Sequence, residues 1–496
     1  MSIQDNAVLI LDCGATNVRA IVIDSDGSVL ASHHIANETH VDAHTGFHHW
    51  DTEQIWEKFC ICSHQIQGKI DVTKIVGIAV TTFGVDGAPF DLNQQQMAPV
   101  IAWKCPRTLD VMQKLKQYLD PATLYQRNGI GDFSFNTLYK LIWIKENQPD
   151  LFKEMDKFVF ISSIFTHRLT GRLTTDYSMA GTSMLTDLST RDWCNTTLDA
   201  LGLNKTRFPP LVEAGQTIGP LLPSIAKQLN LPAGLPVISA GHDTQFAILG
   251  SGAAQNQPVL SSGTWEILMA RVEQFSPPLT YPSPTMTTEF DADKQLLNPG
   301  IQWLSSGILE PLMNTYFPSL VAESNRYQTI IEAAQCIPAG SNGVQVTPHF
   351  VPSRDQAWHI TGLQKNTPPE AIYRAALEAL AVKLNHSLSE LETRAQFKTK
   401  QLLCVGGGTK NRLWNQIRAD ILNLPIHIVN EPETTAIGAA MTAFYGLGQY
   451  TSLEEAQKNM APEQIVITPA TNMSIYQQMN IHTLHPLSKL KEETYV

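Results

Sequence analysis

The stretch from Val8 to Ala20, VLILDCGATNVRA, limits what this chain can fold into more than any other. Val8, Leu9, Ile10 and Leu11 form a short continuous apolar run bounded by turn residues, the pattern of a strand buried on both faces of an α/β sheet. Gly14 then permits a tight turn and leaves the backbone open to a ligand. Ala15, Thr16 and Asn17 add small groups with hydrogen-bonding tips. Arg19-Ala20-Ile21-Val22-Ile23 resumes as a second strand, which Asp26-Gly27 closes as a hairpin. Asp12 sits where the first strand runs into the turn, so its carboxylate is expected to point into whatever the turn encloses. An acid beside backbone N–H groups and Thr/Asn side chains suits a Mg²⁺-polyphosphate, the acid serving the metal or its water and the donors serving phosphate oxygens. A plain hairpin with an acid in its turn would carry the same residues.

The same plan returns in the second half. Val259-Leu260 leads through Ser261-Ser262-Gly263-Thr264 into Trp265-Glu266-Ile267-Leu268-Met269, again strand, small polar turn, strand. Two phosphate-sized turns, one in each half, imply a nucleotide held in a cleft between two related domains. A length of 496 residues agrees with this, because it exceeds what one core usually supports.

Other strand ends carry polar residues too. Lys74 to Thr82 reads as a buried strand running into Phe83-Gly84-Val85-Asp86-Gly87, and Leu235 to Ala240 as one ending in Gly241-His242-Asp243-Thr244-Gln245, followed by a small-residue helix, FAILGSGAA. Ligands of α/β sheets lie beyond the carboxyl ends of strands, and a helix start can hold phosphate or keep an acid ionised. Gln401 to Val405 forms a further strand into Gly406-Gly407-Gly408-Thr409-Lys410-Asn411 and then a helix, RLWNQIRADIL. That glycine run lets a flat or charged ligand approach the backbone, and Asn411 either caps the helix or touches the ligand. It matches neither the Rossmann nor the Walker spacing. Trp103, Lys104 and Arg107 mix an apolar plate with cations. Turn chemistry for Asp86 and core packing for Trp103 are the plainer readings. Asp51 to Gln67 reads as an amphipathic helix capped by Asp51, with Ile55, Phe59, Cys62 and Ile66 on its apolar face. Helical patterns between 136 and 200 are broken by Pro149 and Gly171.

A net charge of −11 argues against non-specific nucleic-acid binding, though it leaves room for a local anion pocket. No apolar run approaches membrane-spanning length and no basic, then apolar, leader opens the chain, so a cytoplasmic protein is expected. Seven scattered cysteines suit free thiols in a reducing compartment, and Cys60 and Cys62 lack a second ligand pair for zinc.

Taken in order, DCGATNVRA, TTFGVDG, GHDTQ, SSGTWE and GGGTKNRLWNQI resemble the sugar kinases of the actin-like ATPase fold, the family that includes glycerol kinase, xylulokinase and rhamnulokinase. The resemblance covers nearly the whole chain. It implies an α/β fold of two actin-like, ribonuclease H-like ATPase domains flanking a nucleotide and sugar cleft. The first would run over 1–245 with most of the sugar pocket and the second over 246–465 with most of the nucleotide site, followed by a tail, 466–496. The resemblance makes Asp243 the catalytic base and Asp12 the acid for the metal. It places Gly14, Ala15, Thr16, Asn17 and Arg19 in the first phosphate turn, although position 19 varies among relatives. Gly263 and Thr264 fall in the second turn, and Gly406, Gly407, Gly408 and Asn411 against the nucleotide. Gly84, Asp86, His242, Thr244 and Asn298 would line the sugar pocket. The implied cofactors are ATP and Mg²⁺, and the implied partner is a small ketose, with no nucleic acid or membrane and with room for a homodimer. The motif wording is nearest to the branch acting on L-fuculose, with L-rhamnulose the rival. An actin-like ATP-driven switch would share the phosphate turns without needing sugar-lining residues beside Asp243. A sugar-sensing regulator would need a DNA-binding helix pair and a basic face, and neither precedes Val8.

Overall fold

Alternate residues of the strand Ala7–Cys13 face opposite ways, and both faces are covered. Leu9 and Leu11 share one core with Val18, Ala20 and Val22 of the next strand and with Ile55, Phe59, Cys62 and Ile66. Val8 and Ile10 belong to another, with Ile21, Ile23, Phe246, Leu249, Ile437 and Phe444. This is the two-sided burial that a continuous apolar run requires. The computed structural model describes residues 6–275, 277, 286–347, 359–470 and 475–476. It forms two compact units, one drawn from Met1–Gln255, Arg271–Pro299 and Glu433–Pro462, the other from Asn256–Ala270, Gly300–Pro432 and Glu463–Val496.

In the first unit six strands lie in the order Thr217–Pro220, Pro236–Ile238, Ile75–Thr82, Ala7–Cys13, Asn17–Asp24, Val29–Ala36. The central three are parallel and the flanking ones antiparallel. Their shared direction brings Cys13, Thr82 and Gly241 to one edge, where Thr82 N–H donates to the Gly241 carbonyl at 3.0 Å. The helix Thr52–Ile66 starts as expected, with Asp51 Oδ1 accepting from the N–H groups of Glu53 and Gln54 at 3.0 Å each. Gly171 ends the helix Ile161–Thr170 in the left-handed region at φ 71°. Pro149 both ends one helical pattern and opens the next helix, Pro149–Glu154, where a missing N–H costs nothing.

The helix after the third parallel strand differs from expectation. It begins at Asp243, not Phe246, and stops at Gly250. Its path is fixed by contact with the helix Thr434–Gly446, which crosses it backbone to backbone. A Cβ on Gly250 would lie 1.9 Å from the Thr434 carbonyl oxygen, and one on Gly438 would lie 1.9 Å from that of Phe246.

The second unit is built on the hairpin Pro258–Ser262 and Trp265–Ala270. Residues 300–304 pair antiparallel with one side of it. On the other side Leu402–Val405 and then Ile426–Val429 add parallel strands, and Gln464–Ile467 pairs antiparallel at the end. The long helix Pro369–Ala395 packs against Arg412–Leu422. Of the expected tail, Tyr476 is buried, its hydroxyl meeting Arg374 at 2.8 Å and Glu378 at 2.9 Å. Residues 471–474 and 477–496 lie outside the described residues. Among those described, no helix is long and apolar enough to cross a membrane.

Because neither helix can move away without uncovering the sheet, Gly438→Ala should lower the unfolding free energy by about 1–3 kcal/mol through overpacking. Gly68→Ala, where a Cβ meets nothing within 4 Å, should leave stability nearly unchanged. Urea denaturation of both variants checks this, and equal midpoints would contradict it.

Candidate active site

At the carboxyl edge of the first unit's sheet, parallel pairing sets Asp12 beside Thr81, and a bridge joins Thr82 to His242. Three strand ends therefore converge, carrying Asp12, Gly84 and the segment His242 to Thr244. Asp12 is 1% exposed. Its Oδ1 accepts from the Thr81 hydroxyl at 3.0 Å and its Oδ2 from Arg19 Nε at 2.7 Å. Arg19 also reaches Glu433 at 2.7 Å. The position-19 side chain is thus committed to two carboxylates.

The turn that follows Asp12 is held by its ends. Gly14 N–H donates to the Asn17 carbonyl at 2.9 Å, and Asn37 grips the turn through the Gly14 and Thr16 carbonyls at 3.0 and 2.7 Å. The N–H groups of Ala15 and Thr16 donate to nothing among the described residues, which leaves a pair of donors for an anion. Asn17 turns its amide onto the Thr16 hydroxyl at 3.1 Å.

Asp243 is the first residue of its helix, with His242 as the N-cap. Its side chain is 27% exposed. Oδ1 accepts from the Thr244 N–H at 2.7 Å and from the Thr244 hydroxyl at 3.3 Å, and lies 3.4 Å from His242 Nε2. Oδ2 accepts no hydrogen bond among the described residues. Burial pushes the carboxyl up to about 6, with Asp12 adding to the rise while His242 and Thr244 oppose it. An acid in this range, with one oxygen free, is suited to taking a proton near neutral pH.

The ring of His242 is held between other residues. Its Nδ1 lies 3.0 Å from Glu289 Oε2, and a Cβ on Gly84 would stand 3.0 Å from its Cδ2 and Nε2. Gly84 therefore gives the imidazole its space. Burial works against the charged ring, but Glu289, Asp243 and Asp176 outweigh it and raise its pKa above the ordinary value. Asp176 braces the same corner, accepting from Ser178 N–H at 2.8 Å and the Ser239 hydroxyl at 2.9 Å, while Ser178 Oγ takes the His242 N–H at 2.9 Å.

Two expected sugar residues lie deeper. Asp86 is fully buried and saturated, pairing with Lys140 and accepting from Trp50 Nε1 at 2.7 Å and Trp103 N–H at 3.0 Å. It shapes this loop and holds the neighbouring Trp103, which is 37% exposed and so is not core. Val85 beside it is held at φ 63°, an uncommon conformation for a β-branched residue. Thr182, Thr137 and Lys140 pin its N–H and carbonyl at 3.0, 2.8 and 3.0 Å. Asn298 is also fully buried, its amide donating to Gln245 and, at 2.8 Å, to Asp291.

In the second unit Gly263 and Thr264 form the hairpin turn, and their carbonyls accept from Ser306, Ser305 and Gly307 N–H groups at 3.3, 2.9 and 3.2 Å. Thr264 N–H donates to nothing among the described residues. The three glycines divide their tasks. Gly406 sits at φ 90°, where a Cβ would lie 2.7 Å from the Ser262 carbonyl oxygen, and one on Gly408 would lie 2.1 Å from Ser262 Oγ. Both therefore press against the hairpin, while Gly407 has open space. Asn411 caps the helix, accepting from Trp414 N–H at 3.0 Å, and its amide lies 3.3 Å from the Tyr373 hydroxyl. Beneath lies a fully buried ion pair, Arg418 with Glu266. Arg418 also donates to Ser262 Oγ at 2.8 Å and lies 3.7 Å over the Trp414 ring, and Trp303 donates to Glu266 at 2.9 Å.

Sequence reasoning missed Lys140, Glu289, Asp176, Glu433 and the Glu266–Arg418 pair. Only Lys140 carried a signal, as a lone cation in the apolar run LYKLIWI.

Residues 7–250 match the N-terminal domain, and residues 259–447 the C-terminal domain, of the FGGY family of carbohydrate kinases. The L-fuculokinase of Haemophilus influenzae is 50% identical over 93% of this chain and 99% of its own. That of Escherichia coli strain K12 is 43% identical over 96% and 100%. The crystal structure of xylulose kinase from Rhodospirillum rubrum superimposes with a TM-score of 0.86 at 22% identity, covering 97% of this chain and 99% of that one, so the fold is the two-domain, actin-like α/β fold of sugar kinases. With both domain models matched in order and strand-end acids standing beside anion-sized turns, the chain belongs to the FGGY family of carbohydrate kinases.

Proposed function

We propose that this protein transfers the γ-phosphoryl group of ATP to the terminal hydroxyl of L-fuculose, giving L-fuculose 1-phosphate, with Asp243 as general base. The observation that carries the chemistry is the carboxylate of Asp243, one oxygen held by Thr244 and the other open, at a helix start beside the Asp12 turn. The substrate rests on the 50% and 43% identity to the two L-fuculokinases.

A sugar hydroxyl is a weak nucleophile at neutral pH. Asp243 Oδ2 accepts its proton as the new oxygen–phosphorus bond forms and the bond to the leaving ADP oxygen breaks. Most of the remaining barrier falls through alignment and charge stabilisation. The open N–H groups of Ala15, Thr16 and Thr264 serve the phosphate oxygens, with Gly14, Asn17 and Gly263 shaping their turns. Gly407 and its neighbours Gly406, Gly408 and Asn411 serve the adenosine. His242, Thr244 and Gly84 meet the sugar directly. Asp86 and Asn298, both buried, act on it from behind. Residues 1–245 supply most of the sugar side and 246–465 most of the nucleotide side.

Mg²⁺ is typically held by one or two carboxylates, phosphates and water, with no all-protein cage. The residues present fit that habit. Asp12 is a carboxylate at the turn, and no group of three His, Cys, Asp or Glu among the described residues forms a cage. When bound, Mg²⁺ would neutralise charge developing on the phosphates. Because both Asp12 oxygens already have donors, the acid would hold the ion through water or release Arg19 to Glu433.

Three outcomes follow. Asp243→Asn should lower kcat by at least about 10²-fold with nucleotide and sugar affinity little changed, as steady-state kinetics and calorimetry will measure. Turnover within a few-fold of the parent would remove Asp243 from the role. In the parent protein kcat/KM should decline as pH falls through about 6, because burial raises the Asp243 carboxyl and its protonation removes the acceptor. A flat profile through that pH would exclude the assignment.

Among L-fuculose, L-rhamnulose, D-ribulose and glycerol tested with Mg·ATP in a coupled assay, L-fuculose should give the highest kcat/KM. A higher value for L-rhamnulose would leave the family intact and change the substrate.

A further inference from the structure

We infer that Glu289 is a positioning residue for this reaction: it grips the side chains on either side of Asp243 and sets the His242 ring with its Nε2 edge toward the base. The inference rests on the reading of Asp243 as base. Glu289 lies on the strand Met286–Phe290, in a segment far from GHDTQ in sequence. One oxygen, Oε2, takes both His242 Nδ1, at 3.0 Å, and the Gln245 amide. His242 is the N-cap of the helix that begins at Asp243, and Gln245 stands three residues beyond the cap. A single carboxylate thus fastens the first turn from outside, at the residue before the base and at the second residue after it.

An ionised carboxylate only accepts hydrogen bonds, so the Nδ1 of His242 carries a proton. That choice leaves Nε2 to face Asp243 Oδ1 at 3.4 Å. Gly84, which lacks a Cβ, leaves room for the ring edge at Cδ2 and Nε2, where a Cβ would stand 3.0 Å away. The ring cannot swing without breaking the Glu289 contact. Gln245 is itself backed by Asn298, which reaches Asp291 at 2.8 Å, and Asp291 is held by Arg271 through two contacts of 2.9 Å. Glu289 is therefore anchored on a chain of buried polar groups, as a positioning group must be.

The titratable and charged groups facing this pair come from several elements. Asp12, Cys13 and Arg19 stand on the first two strands, with Arg19 tied to Glu433, and Asp176 precedes the helix Tyr177–Gly181. Of these, Asp12 disfavours the ionised base, while His242 favours it. Glu289 in turn favours charge on His242. Removing the Glu289 charge makes His242 easier to deprotonate, so Asp243 loses support for its ionised form and binds its proton more tightly. The acid limb of the kcat profile must then move to higher pH.

The test compares Glu289→Gln, Glu289→Ala, Glu289→Asp and Asp243→Asn in the full chain with L-fuculose and Mg·ATP. Glu289→Gln keeps a hydrogen-bond acceptor and the volume while losing the charge. It should move the acid limb up by about half a pH unit or more and lower kcat about 3- to 10-fold near neutrality, with KM for ATP unchanged. Glu289→Ala, which also frees the ring, should lose more kcat, and Glu289→Asp should recover part of it. A Glu289→Gln protein with the parental kcat and pH profile overturns the inference, whatever the alanine variant does. If Asp243→Asn also keeps its turnover, the base assignment fails as well. If Asp243→Asn loses turnover while Glu289→Gln does not, only the role of Glu289 falls.

Discussion

A carboxylate withdrawn from water must be given a cation or a set of donors, and this requirement organises both units. Breaking a buried pair by removing one partner typically costs about 3–5 kcal/mol, far more than the net worth of the intact pair. The pairs therefore act less as glue than as conditions on the fold: wherever the acid is buried, its partner must arrive. Asp12 draws Arg19 to the first turn, and Arg19 in turn holds Glu433. Asp86 draws Lys140 beneath the loop after the strand Ile75–Thr82. Asp291 draws Arg271, and Glu266 draws Arg418 beneath the second turn. Three of these pairs stand beside the turns at Gly14, Asp86 and Gly263.

This explains how side chains that never reach a ligand can fix a site. Ser262 is held by Arg418 and Glu266, and Gly406 and Gly408 pack directly on Ser262, so the hairpin turn and the glycine loop share one foundation. Asp243 in the first unit is treated in the same way, with Thr244 holding one oxygen and Asp176 and Ser178 fixing the backbone just before it. Preorganisation of this kind leaves little to rearrange when charge develops in the reaction.

The parts legible in the sequence were those set by local pattern. The apolar run at Val8, the hairpin turns, the Asp51 cap and the strand ends at Asp12 and Asp243 all follow from neighbours a few residues apart. The partners of buried charges did not, because pairing across tens or hundreds of residues leaves no periodicity. Arg418 sits in RLWNQIRADIL where an amphipathic helix would show a solvated cation, yet it is fully buried. Glu289 lies in a strand with nothing in TTEF to set it apart. The helix starts three residues earlier, at Asp243, because the apolar residues and the closing glycine of FAILG suit close packing and say little about where the first turn begins.

The close crossing of the helices Asp243–Gly250 and Thr434–Gly446 also bears on how the protein is made. The first unit takes its last segment from residues 433–462. Until those residues leave the ribosome, Val8, Ile10, Ile21 and Ile23 have no helix over one face of an otherwise complete sheet. The nascent chain must therefore carry an uncovered apolar surface through the synthesis of more than a hundred further residues, a period in which aggregation competes with folding. The helix bearing Asp243 is thus synthesised well before the helix that seats it, so a chain truncated before residue 433 cannot hold that carboxylate in its final place.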